Sequence, residues 1–562
     1  MAMSLKIGLD FDNTIINYEN LFFELLKSEH FISADTPLMS KTEVKKYLIG
    51  QDKNDLRWQA LQAKAYGENI NQATCFEGVF PFIKWAKQQG HQISIVSHKT
   101  ETSNYDHSVK LRYWATKWME ENKLIGVGPQ QIDPSEIHFV NSVDEKISSI
   151  TAMKFDLFVD DLPKIIEHHL FPKETLGILF APSSFNSNTY LQVSSWPQLK
   201  NQVEQITLIG KNAYQFVCQN LKRLPDTVEQ INQSGNNRLF KINFKEKALA
   251  LKTYYNDPKS DQRNRGKTEY EGLKLLWDNG IRNIPCPLDY LDQHQLGLYQ
   301  FIVGEKITPH TSFRLVEKSI QDFIVNLYQF SQNIAWENLS EGADSRKCLG
   351  DYLRIIERRT KDLKDGVQAP EIPSYARHFL EQEVLPLGES ICQRFIWQTK
   401  QNAFSLEEPF PKQYRIFSPS DLGLHNTLFP ATGDPLFLDF EYCGLDDLIK
   451  LTSDFFHHVA QDIPWESKWR IFKNISTRLP PGAQFQKRFD LCVDMIGYEW
   501  VLIVLNIMRS GVIERRKFSS PQLNVEQLVQ ERLQKAALMI GNIKSYRQKQ
   551  KIYHTIPECQ YE

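Results

Sequence analysis

The 562-residue sequence lacks several patterns that mark common classes of protein. Its 8 cysteines form no CxxC pair and no cysteine–histidine group with zinc-binding spacing. The GxxxxGK[ST] loop of one large class of nucleotide-binding proteins is absent. The net charge of −2 excludes a strongly basic surface at the level of the whole chain. These absences predict reduced thiols in a cytoplasmic compartment and disfavour nucleic acid as a partner.

Long apolar runs are also scarce. The most apolar late stretch, Met495–Met508, is shorter than the roughly 20 residues that a membrane-spanning helix needs, and it contains Glu499. Residues 1–14 enter an apolar strand directly, without the layout of a signal peptide. We therefore expect a buried helix at Met495–Met508 and a soluble protein with several domains and no membrane partner.

Short apolar runs alternate with helical patterns over residues 1–200. This alternation is typical of a parallel sheet in a Rossmann-like α/β domain. The pattern between about residues 15 and 90 is mainly helical, which predicts a helical cap inserted between the first two strands. The predicted strands are Lys6–Leu9, Ile93–Val96, Ile137–Val140, Phe155–Val159 and Leu176–Phe180.

The first predicted strand ends in the sequence DFDNT, which contains Asp10 and Asp12. Two carboxylates at this spacing beyond a strand can converge on one phosphate group. One can attack phosphorus, and the other can protonate the leaving oxygen and then activate water. A dianionic substrate beside carboxylates calls for a divalent cation such as Mg²⁺. The alternative interpretation is a solvated acidic loop.

Further polar residues lie where other predicted strands end. Ser97 follows one strand and can hold a phosphoryl oxygen, and Asp160-Asp161 follow another and can complete a magnesium site. Lys146 opens a predicted helix and can neutralise the charge of a transferring group. Lys154 is a rival for this role, and a solvated helix residue is the alternative for Lys146.

Together these segments resemble the haloacid-dehalogenase superfamily over about residues 1–195. Its four motifs correspond in order to DFDNT, VSHKT, the Lys146 segment and VDDLP, and the last part is most similar to the subgroup with deoxyribonucleotidases and other small-molecule phosphatases. The resemblance implies a phosphatase with Asp10 as the phosphorylated nucleophile, Asp12 as acid and base, Ser97 and Lys146 as phosphoryl binders, and a magnesium site of Asp10, the Asp12 backbone carbonyl, Asp160 and, as a further candidate, Asp161.

The second part of the chain has a different pattern of predicted strands and helices. Residues 201–305 contain a linker and a small lobe with predicted strands at Leu239–Phe244, Ala248–Tyr254 and Leu298–Val303 and a helix at Lys267–Asn279. Residues 306–562 are mostly helical, apart from a loop-and-strand section. We expect a bilobal α+β domain of the protein-kinase type after the α/β domain.

The section Ser418–Asp447 contains Asp421, Asn426 five residues later, and Asp439 after a short strand. Kinases use this arrangement for a catalytic-loop Asp, an Asn on Mg²⁺ and a second metal-binding Asp. Transfer of a phosphoryl group from ATP requires an oriented hydroxyl and a clamped triphosphate, and these three side chains can provide both.

The preceding lobe contains the other expected parts of an ATP site. Lys252 lies on a predicted strand and Glu269 on the next helix, with Glu271 as the alternative partner. Leu298–Ile302 would contact the adenine. The polar loop that would cover the phosphates contains Ser234, Gly235 and Asn237.

Residues from about 225 to 545 resemble the aminoglycoside phosphotransferase and choline kinase group. The resemblance is carried by SGNNRLF and LDFEYCGLDD, and it implies a small-molecule acceptor. One departure is clear, because the family's His-Gly-Asp is replaced by Pro419-Ser420-Asp421.

The sequence therefore favours a bifunctional phosphatase and kinase that uses Mg²⁺ and ATP. The acceptor would be a sugar, a nucleoside or an amino alcohol. One alternative is an enzyme that processes nucleic-acid ends as 3′-phosphatase and 5′-kinase. Another is that one module is a regulatory scaffold without activity. The amphipathic stretch Val525–Lys551 is interpreted as a solvated terminal helix, with a partner-binding tail as the alternative.

Overall fold

The computed structural model describes residues 4–33, 35–52, 55–182, 190–231, 237–255, 264–306, 313–431, 434–457, 463–479, 482–513, 516 and 523–553. The chain divides into two compact units. The first comprises Met1–Glu229 and Ile242–Lys247, and the second comprises Gln230–Lys241 and Ala248–Glu562.

The described part of residues 1–225 contains eight short strands, of which six form one sheet. The strands are β1 (Lys6–Leu9), β2 (Ile16–Asn17), β3 (Thr74–Cys75), β4 (Gln92–His98), β5 (Ile137–Val140), β6 (Leu157–Asp160), β7 (Leu176–Phe180) and β8 (Gln192–Val193). The sheet order is β5-β4-β1-β6-β7-β8, and every neighbouring pair is parallel. The prediction of a parallel α/β sheet is confirmed.

β1 occupies the middle of this sheet. Ile7 lies opposite Ile93 on one side and Leu157 on the other, and it is fully buried. A central parallel strand has no solvent face, which explains why its apolar run is continuous. The loops after β1, β4 and β6 consequently meet at one edge of the sheet.

Helices surround the sheet and fill the insertion after β1. They are α1 (Glu19–Ser28), α2 (Lys41–Asp52), α3 (Leu56–Tyr66), α4 (Val79–Gln88), α5 (Leu111–Glu121), α6 (Val143–Met153), α7 (Pro163–Ile166), α8 (Trp196–Ile209) and α9 (Lys211–Leu221). α8 belongs to this unit because Trp196 is fully buried, with its ring 5.1 Å from that of Phe82 and 5.9 Å from that of Phe180. The unit thus extends beyond the predicted limit at residue 200.

The inserted cap comprises α1, α2 and α3. The chain enters it through β2 and leaves through β3, which pair antiparallel with Ile16 opposite Cys75. α4 lies within the predicted cap limits of residues 15 and 90, buries Val79, Phe82 and Ile83, and packs against β4. The limits of the cap stay a prediction.

The second part of the chain begins with a five-stranded sheet and one helix. Its elements are β9 (Thr227–Ile231), β10 (Arg238–Phe244), β11 (Lys247–Thr253), α10 (Arg265–Asp278), β12 (Pro287–Leu291) and β13 (Leu296–Gln300), and the strand order is β12-β13-β11-β10-β9. The sequence did not predict β9 and β12. No residue of either strand is fully buried, so neither has the apolar pattern that identifies a strand.

The remaining elements are mainly helical. They are α11 (Phe313–Asn333), α12 (Gly350–Gly366), α13 (Ser374–Phe379), α14 (Leu385–Gln401), β14 (Arg415–Ser418), β15 (Thr427–Leu428), β16 (Leu436–Phe437), β17 (Gly444–Asp447), α15 (Leu448–His457), α16 (Trp465–Arg478), α17 (Gly482–Val504) and α18 (Val525–Tyr553). The two short strand pairs, β14–β17 and β15–β16, lie within the loop-and-strand section that the sequence predicted.

α17 lies in the core of this helical part. With the turn that follows it, Gln484–Met508 is the one stretch among the described residues that is long and apolar enough to cross a membrane, with a mean hydropathy of 1.7. However, 83% of its apolar window is buried within the protein. The expectation of a buried helix is confirmed, whereas the expectation of a short one is wrong, because the helix begins well before Met495.

Candidate active sites

The loop after β1 holds Asp10 and Asp12 in a tight turn. The backbone N–H of Asp10 donates to the carbonyl of Val159 at 2.9 Å, which fixes the loop beside β6. Asn13 has a φ of 58°, in the left-handed region that asparagine tolerates better than most residues. This turn leaves the Asp10 side chain buried and the Asp12 side chain 22% exposed.

Lys146 joins Asp10 to Asp160. Its Nζ lies 2.5 Å from Asp10 Oδ1 and 2.6 Å from Asp160 Oδ2, and all three side chains are buried. Burial opposes the charged form of Lys146, but the two carboxylates outweigh it and raise its pKa. The interpretation of Lys146 as a solvated residue is therefore wrong. The rival Lys154 is exposed at the end of α6.

Asp10, Asp160 and Asp161 form a carboxylate cluster whose ligand atoms lie within 4.8 Å of one another. Burial raises the pKa of Asp10 well above its usual range, although Lys146 acts against this. Burial and the charge of Asp160 raise the pKa of Asp161 to about 7. Three crowded oxygen ligands fit a hard divalent cation such as Mg²⁺.

Ser97 lies in β4, next to β1 in the sheet. Its side chain is fully buried, and its hydroxyl has no hydrogen-bond partner among the described residues. An unsatisfied buried hydroxyl costs roughly 1–3 kcal/mol. The Ser97 hydroxyl can therefore donate a hydrogen bond to an external acceptor such as a phosphoryl oxygen.

Two lysines near this site were not predicted from the sequence. Lys99 Nζ lies 2.9 Å from Asp12 Oδ2, and its side chain is 2% exposed. Burial opposes the charge of Lys41 on α2, but Tyr66, Asp12 and Asp161 raise its pKa. The motif VSHKT contained a signal for Lys99, whereas no pattern in the sequence connects the cap helix α2 with this site.

A cavity of about 220 Å³ opens beside Asp12. α3 of the cap forms one wall with Gln62 and Tyr66, and the loop after β4 forms another with Lys99 and Tyr105. His98, which is exposed, also lines the cavity. The walls provide mostly neutral hydrogen-bonding groups beside the carboxylates.

We expect Mg²⁺ to raise the melting temperature more at pH 8 than at pH 6. Because the pKa of Asp161 is about 7 in the folded protein and ordinarily 3.8, the folded state binds more protons between these values. This group therefore makes the metal-free protein less stable as the pH rises. At pH 8 its carboxylate is free to bind the cation, whereas at pH 6 a proton competes.

Thermal unfolding with and without Mg²⁺ at the two pH values measures this effect. Asp161→Asn should reduce the difference between the two Mg²⁺-induced shifts. Equal shifts at pH 6 and pH 8 in the wild-type protein would contradict the prediction.

In the second unit, Lys252 contacts two carboxylates. Its Nζ donates to Glu269 Oε2 at 2.6 Å and to Asp439 Oδ1 at 3.0 Å. Burial opposes the charged form of Lys252, but these partners raise its pKa well above the usual range. The alternative partner Glu271 is exposed and lies 3.8 Å from Lys267. The phase of α10 therefore places Glu269, and not Glu271, beside the lysine.

Glu269 has further donors. Tyr254 OH donates to its Oε2 at 2.7 Å, and the backbone N–H of Phe440 lies 3.3 Å from its Oε1. Tyr254 in turn lies 2.8 Å from the hydroxyl of Tyr299, in the segment predicted to contact adenine. The hydrogen bonds of the two tyrosine hydroxyls therefore link the Lys252–Glu269 pair to β13.

Tyr254→Phe should destabilise the protein by about 1–3 kcal/mol, because the buried carboxylate of Glu269 loses a donor. The midpoint of urea denaturation measures this change. Tyr375→Phe is the matched control, since Tyr375 is 42% exposed. An equal midpoint for Tyr254→Phe and the control would contradict a stabilising role of this hydroxyl.

Asp421, Asn426 and Asp439 flank the hairpin of β15 and β16. Thr427 pairs with Phe437, and the backbone N–H of Leu438 donates to the carbonyl of Asn426 at 2.7 Å. Asn426 and Asp439 therefore lie at the same end of the hairpin. Asn426 Nδ2 lies 3.1 Å from the Asp421 carbonyl and 3.3 Å from its Oδ2.

Ser420 precedes Asp421 with a φ of 67°, in the left-handed region that favours glycine. The resembled family has glycine at this place. Because a side chain in this region costs roughly 1–2 kcal/mol, Ser420→Gly should stabilise the protein by about 1 kcal/mol. Chemical denaturation measures the gain, and Ser420→Ala, which keeps a side chain, is the control. A glycine variant no more stable than the alanine variant would contradict the assignment of strain.

Of the predicted phosphate-covering loop, Ser234 and Gly235 lie outside the described residues. Asn237 donates from Nδ2 to Glu441 Oε2 at 2.7 Å. Arg265 Nη1 lies 3.6 Å from the other oxygen of Glu441. Glu441 was not singled out from the sequence, although it stands two residues after Asp439 in the segment LDFEY.

The two acidic residues that end the longer segment LDFEYCGLDD make contacts within the core. Asp447 accepts from Tyr352 OH at 2.8 Å and from Arg488 Nη2 at 2.8 Å, all within the buried interior. Asp446 accepts from the backbone N–H of Arg346 at 2.9 Å and lies 3.3 Å from Lys450. These contacts anchor β17, which pairs with β14 just before Asp421.

A scan against protein-family models gives no match, and a search of curated proteins gives none.

Several solved structures are similar to 56–60% of this chain. A spectinomycin phosphotransferase with ADP and spectinomycin is 12% identical, with 94% of that chain covered and a TM-score of 0.37. Choline kinase LicA from Streptococcus pneumoniae is 13% identical over 60% of this chain and 99% of that chain, with a TM-score of 0.39. The ADP-bound aminoglycoside phosphotransferase APH(2'')-Ib is 15% identical over 59% of this chain and 99% of that chain, also with a TM-score of 0.39. At these sequence identities and TM-scores, the similarity does not assign an activity to this chain.

Proposed function

We propose that the chain is a bifunctional enzyme with a phosphomonoesterase in its first unit and an ATP-dependent kinase in its second. The observation that supports the proposal is that one lysine contacts two carboxylates at each site. Lys146 joins Asp10 to Asp160, and Lys252 joins Glu269 to Asp439. Buried lysine–carboxylate groups are costly for stability, and groups with perturbed pKa values cluster at functional sites.

In the phosphomonoesterase, an oxygen of Asp10 attacks phosphorus and the bond to the ester oxygen breaks. Asp12 gives a proton to that oxygen, so the leaving group departs as a neutral alcohol. Asp12 then removes a proton from water, which hydrolyses the phosphorylated Asp10 to free carboxylate and inorganic phosphate. Lys146 and Ser97 bind the phosphoryl oxygens throughout.

A Mg²⁺ ion held by Asp10, Asp160, Asp161 and the backbone carbonyl of Asp12 would neutralise part of the phosphate charge. The carboxylate cluster fits this ion, because the ligand oxygens crowd within 4.8 Å of one another and burial penalises their charge. The residues of the chain perform every proton transfer.

In the kinase, Asp421 orients the acceptor hydroxyl and takes its proton as the γ-phosphoryl group is transferred. Lys252 binds the phosphates of ATP, and Glu269 holds Lys252 in place. Mg²⁺ bound by Asn426 and Asp439 would clamp the triphosphate charge. The products are ADP and a phosphorylated small molecule, for which we propose a sugar, a nucleoside or an amino alcohol as the acceptor.

A panel of small metabolites tests both activities in the full-length protein. Phosphate release from phosphomonoesters should require Mg²⁺ and should not require ATP. ADP formation from ATP should require an acceptor with a free hydroxyl. Failure to release phosphate from any ester and to consume ATP with any acceptor would overturn the proposal.

A further inference from the structure

We propose that Lys99 is a positioning residue of the phosphomonoesterase, which holds the carboxylate of Asp12 in the orientation needed for proton transfer. This inference rests on the proposed function of the first unit. It adds a group outside the set of side chains implied by the four-motif resemblance.

Each oxygen of Asp12 has its own donor. Tyr18 OH donates to Oδ1 at 2.9 Å, and Lys99 Nζ lies 2.9 Å from Oδ2. Carboxylate rotation about the last side-chain torsion is ordinarily broad. Two donors on opposite oxygens remove that freedom, so the plane of the carboxylate is fixed relative to the cavity that it borders.

Lys99 is itself held from several sides. Its backbone N–H donates to the carbonyl of Val140 at 3.0 Å, and its carbonyl accepts from Arg112 Nε at 2.9 Å. Its Nζ lies 4.7 Å from the centre of the Tyr66 ring and 5.9 Å from that of Phe11. These contacts keep the ammonium group at Asp12 and prevent it from turning into solvent.

The two buried lysines contact different carboxylates, so they can have different functions. Lys146 lies between Asp10 and Asp160, whereas Lys99 pairs with Asp12. Lys146 can therefore bind the phosphoryl group without releasing Asp12. A neutral side chain at position 99 would leave Tyr18 as the side-chain hydrogen-bond donor to Asp12 among the described residues.

This arrangement matters most when the leaving group needs a proton. In the first step the Asp10–phosphorus bond forms and the ester bond breaks, and the proton of Asp12 moves to the departing oxygen. The alcohol of an alkyl ester departs as a basic alkoxide unless its oxygen is protonated. The more acidic phenol of an aryl ester departs readily without a proton. Loss of positioning should therefore impair alkyl esters selectively.

The experiment compares Lys99→Met with wild type on an alkyl phosphate, such as glycerol phosphate, and on 4-nitrophenyl phosphate. For the alkyl ester we expect kcat to fall about 100-fold, the size of a lost general-acid contribution. For the aryl ester we expect a loss below about 5-fold, since proton donation contributes little there. Tyr18→Phe, which removes one oxygen atom, should show the same selectivity with a smaller loss.

Lys117→Met is the matched control, because Lys117 lies on α5 of the same unit with its side chain 41% exposed. It should leave both rates unchanged. Equal losses for the two esters in both Lys99→Met and Tyr18→Phe would overturn the positioning role and leave a structural one. A wild-type protein that hydrolyses neither ester nor any other phosphomonoester would instead overturn the proposed phosphatase itself.

Discussion

Asp10→Asn should lower the rate of phosphomonoester hydrolysis by at least about 10³-fold, since it removes the proposed nucleophile. The amide that replaces the carboxylate cannot form the phosphorylated intermediate. ATP-dependent phosphorylation of an acceptor should keep its wild-type rate, because the kinase residues lie in the other unit. Steady-state assays of both activities on one preparation measure the two effects.

Asp35→Asn provides the control for this substitution, because Asp35 is an exposed residue of the cap. It should change neither activity. An Asp10→Asn protein that retains a tenth or more of the hydrolytic rate would show that another group attacks phosphorus.

Asp421→Asn should lower the rate of acceptor phosphorylation by about 10²–10⁴-fold, the usual contribution of a general base. The stabilisation of the protein by ATP and Mg²⁺ should persist, because Lys252, Glu269 and Asp439 remain. Hydrolysis of phosphomonoesters should not change. Product formation at saturating ATP and thermal unfolding with ATP measure the two properties separately.

Asp434→Asn is the corresponding control, since Asp434 is exposed next to β16, before Asp439. If Asp421→Asn leaves acceptor phosphorylation within about threefold of wild type, its assignment as the base is wrong. If it also abolishes binding of ATP, the residue serves the nucleotide instead.

The sequence identified most of the parallel sheet and the polar residues where its strands end. Four of the five predicted strands coincide with or lie within the observed ones, and the fifth overlaps Leu157–Asp160. This success has a physical basis. A buried parallel strand needs a continuous apolar run, and the loops beyond such strands tolerate charge.

The sequence could not identify residues whose position depends on the tertiary fold. Lys41 approaches Asp12 only because the cap folds over the loop after β1, and no local pattern encodes that approach. The same holds for Asn237, whose partner Glu441 is 204 residues away in the chain. Spacing within a motif predicts neighbours on one loop, but it does not predict which distant element packs beside them.

Helix phase resolved one alternative that the sequence had left open. Glu269 and Glu271 are two residues apart, so they face different sides of α10. The prediction preferred Glu269, and the structure places its carboxylate 2.6 Å from Lys252.

The pairing of β2 with β3 has a consequence for how this protein could diversify. The residues where the chain enters and leaves the cap, Ile16 and Cys75, lie opposite each other in that small hairpin. An insertion whose ends already meet imposes little strain on the framework that carries it. We therefore expect that the segment between Ile16 and Cys75 can be replaced by another insertion with little strain on the sheet.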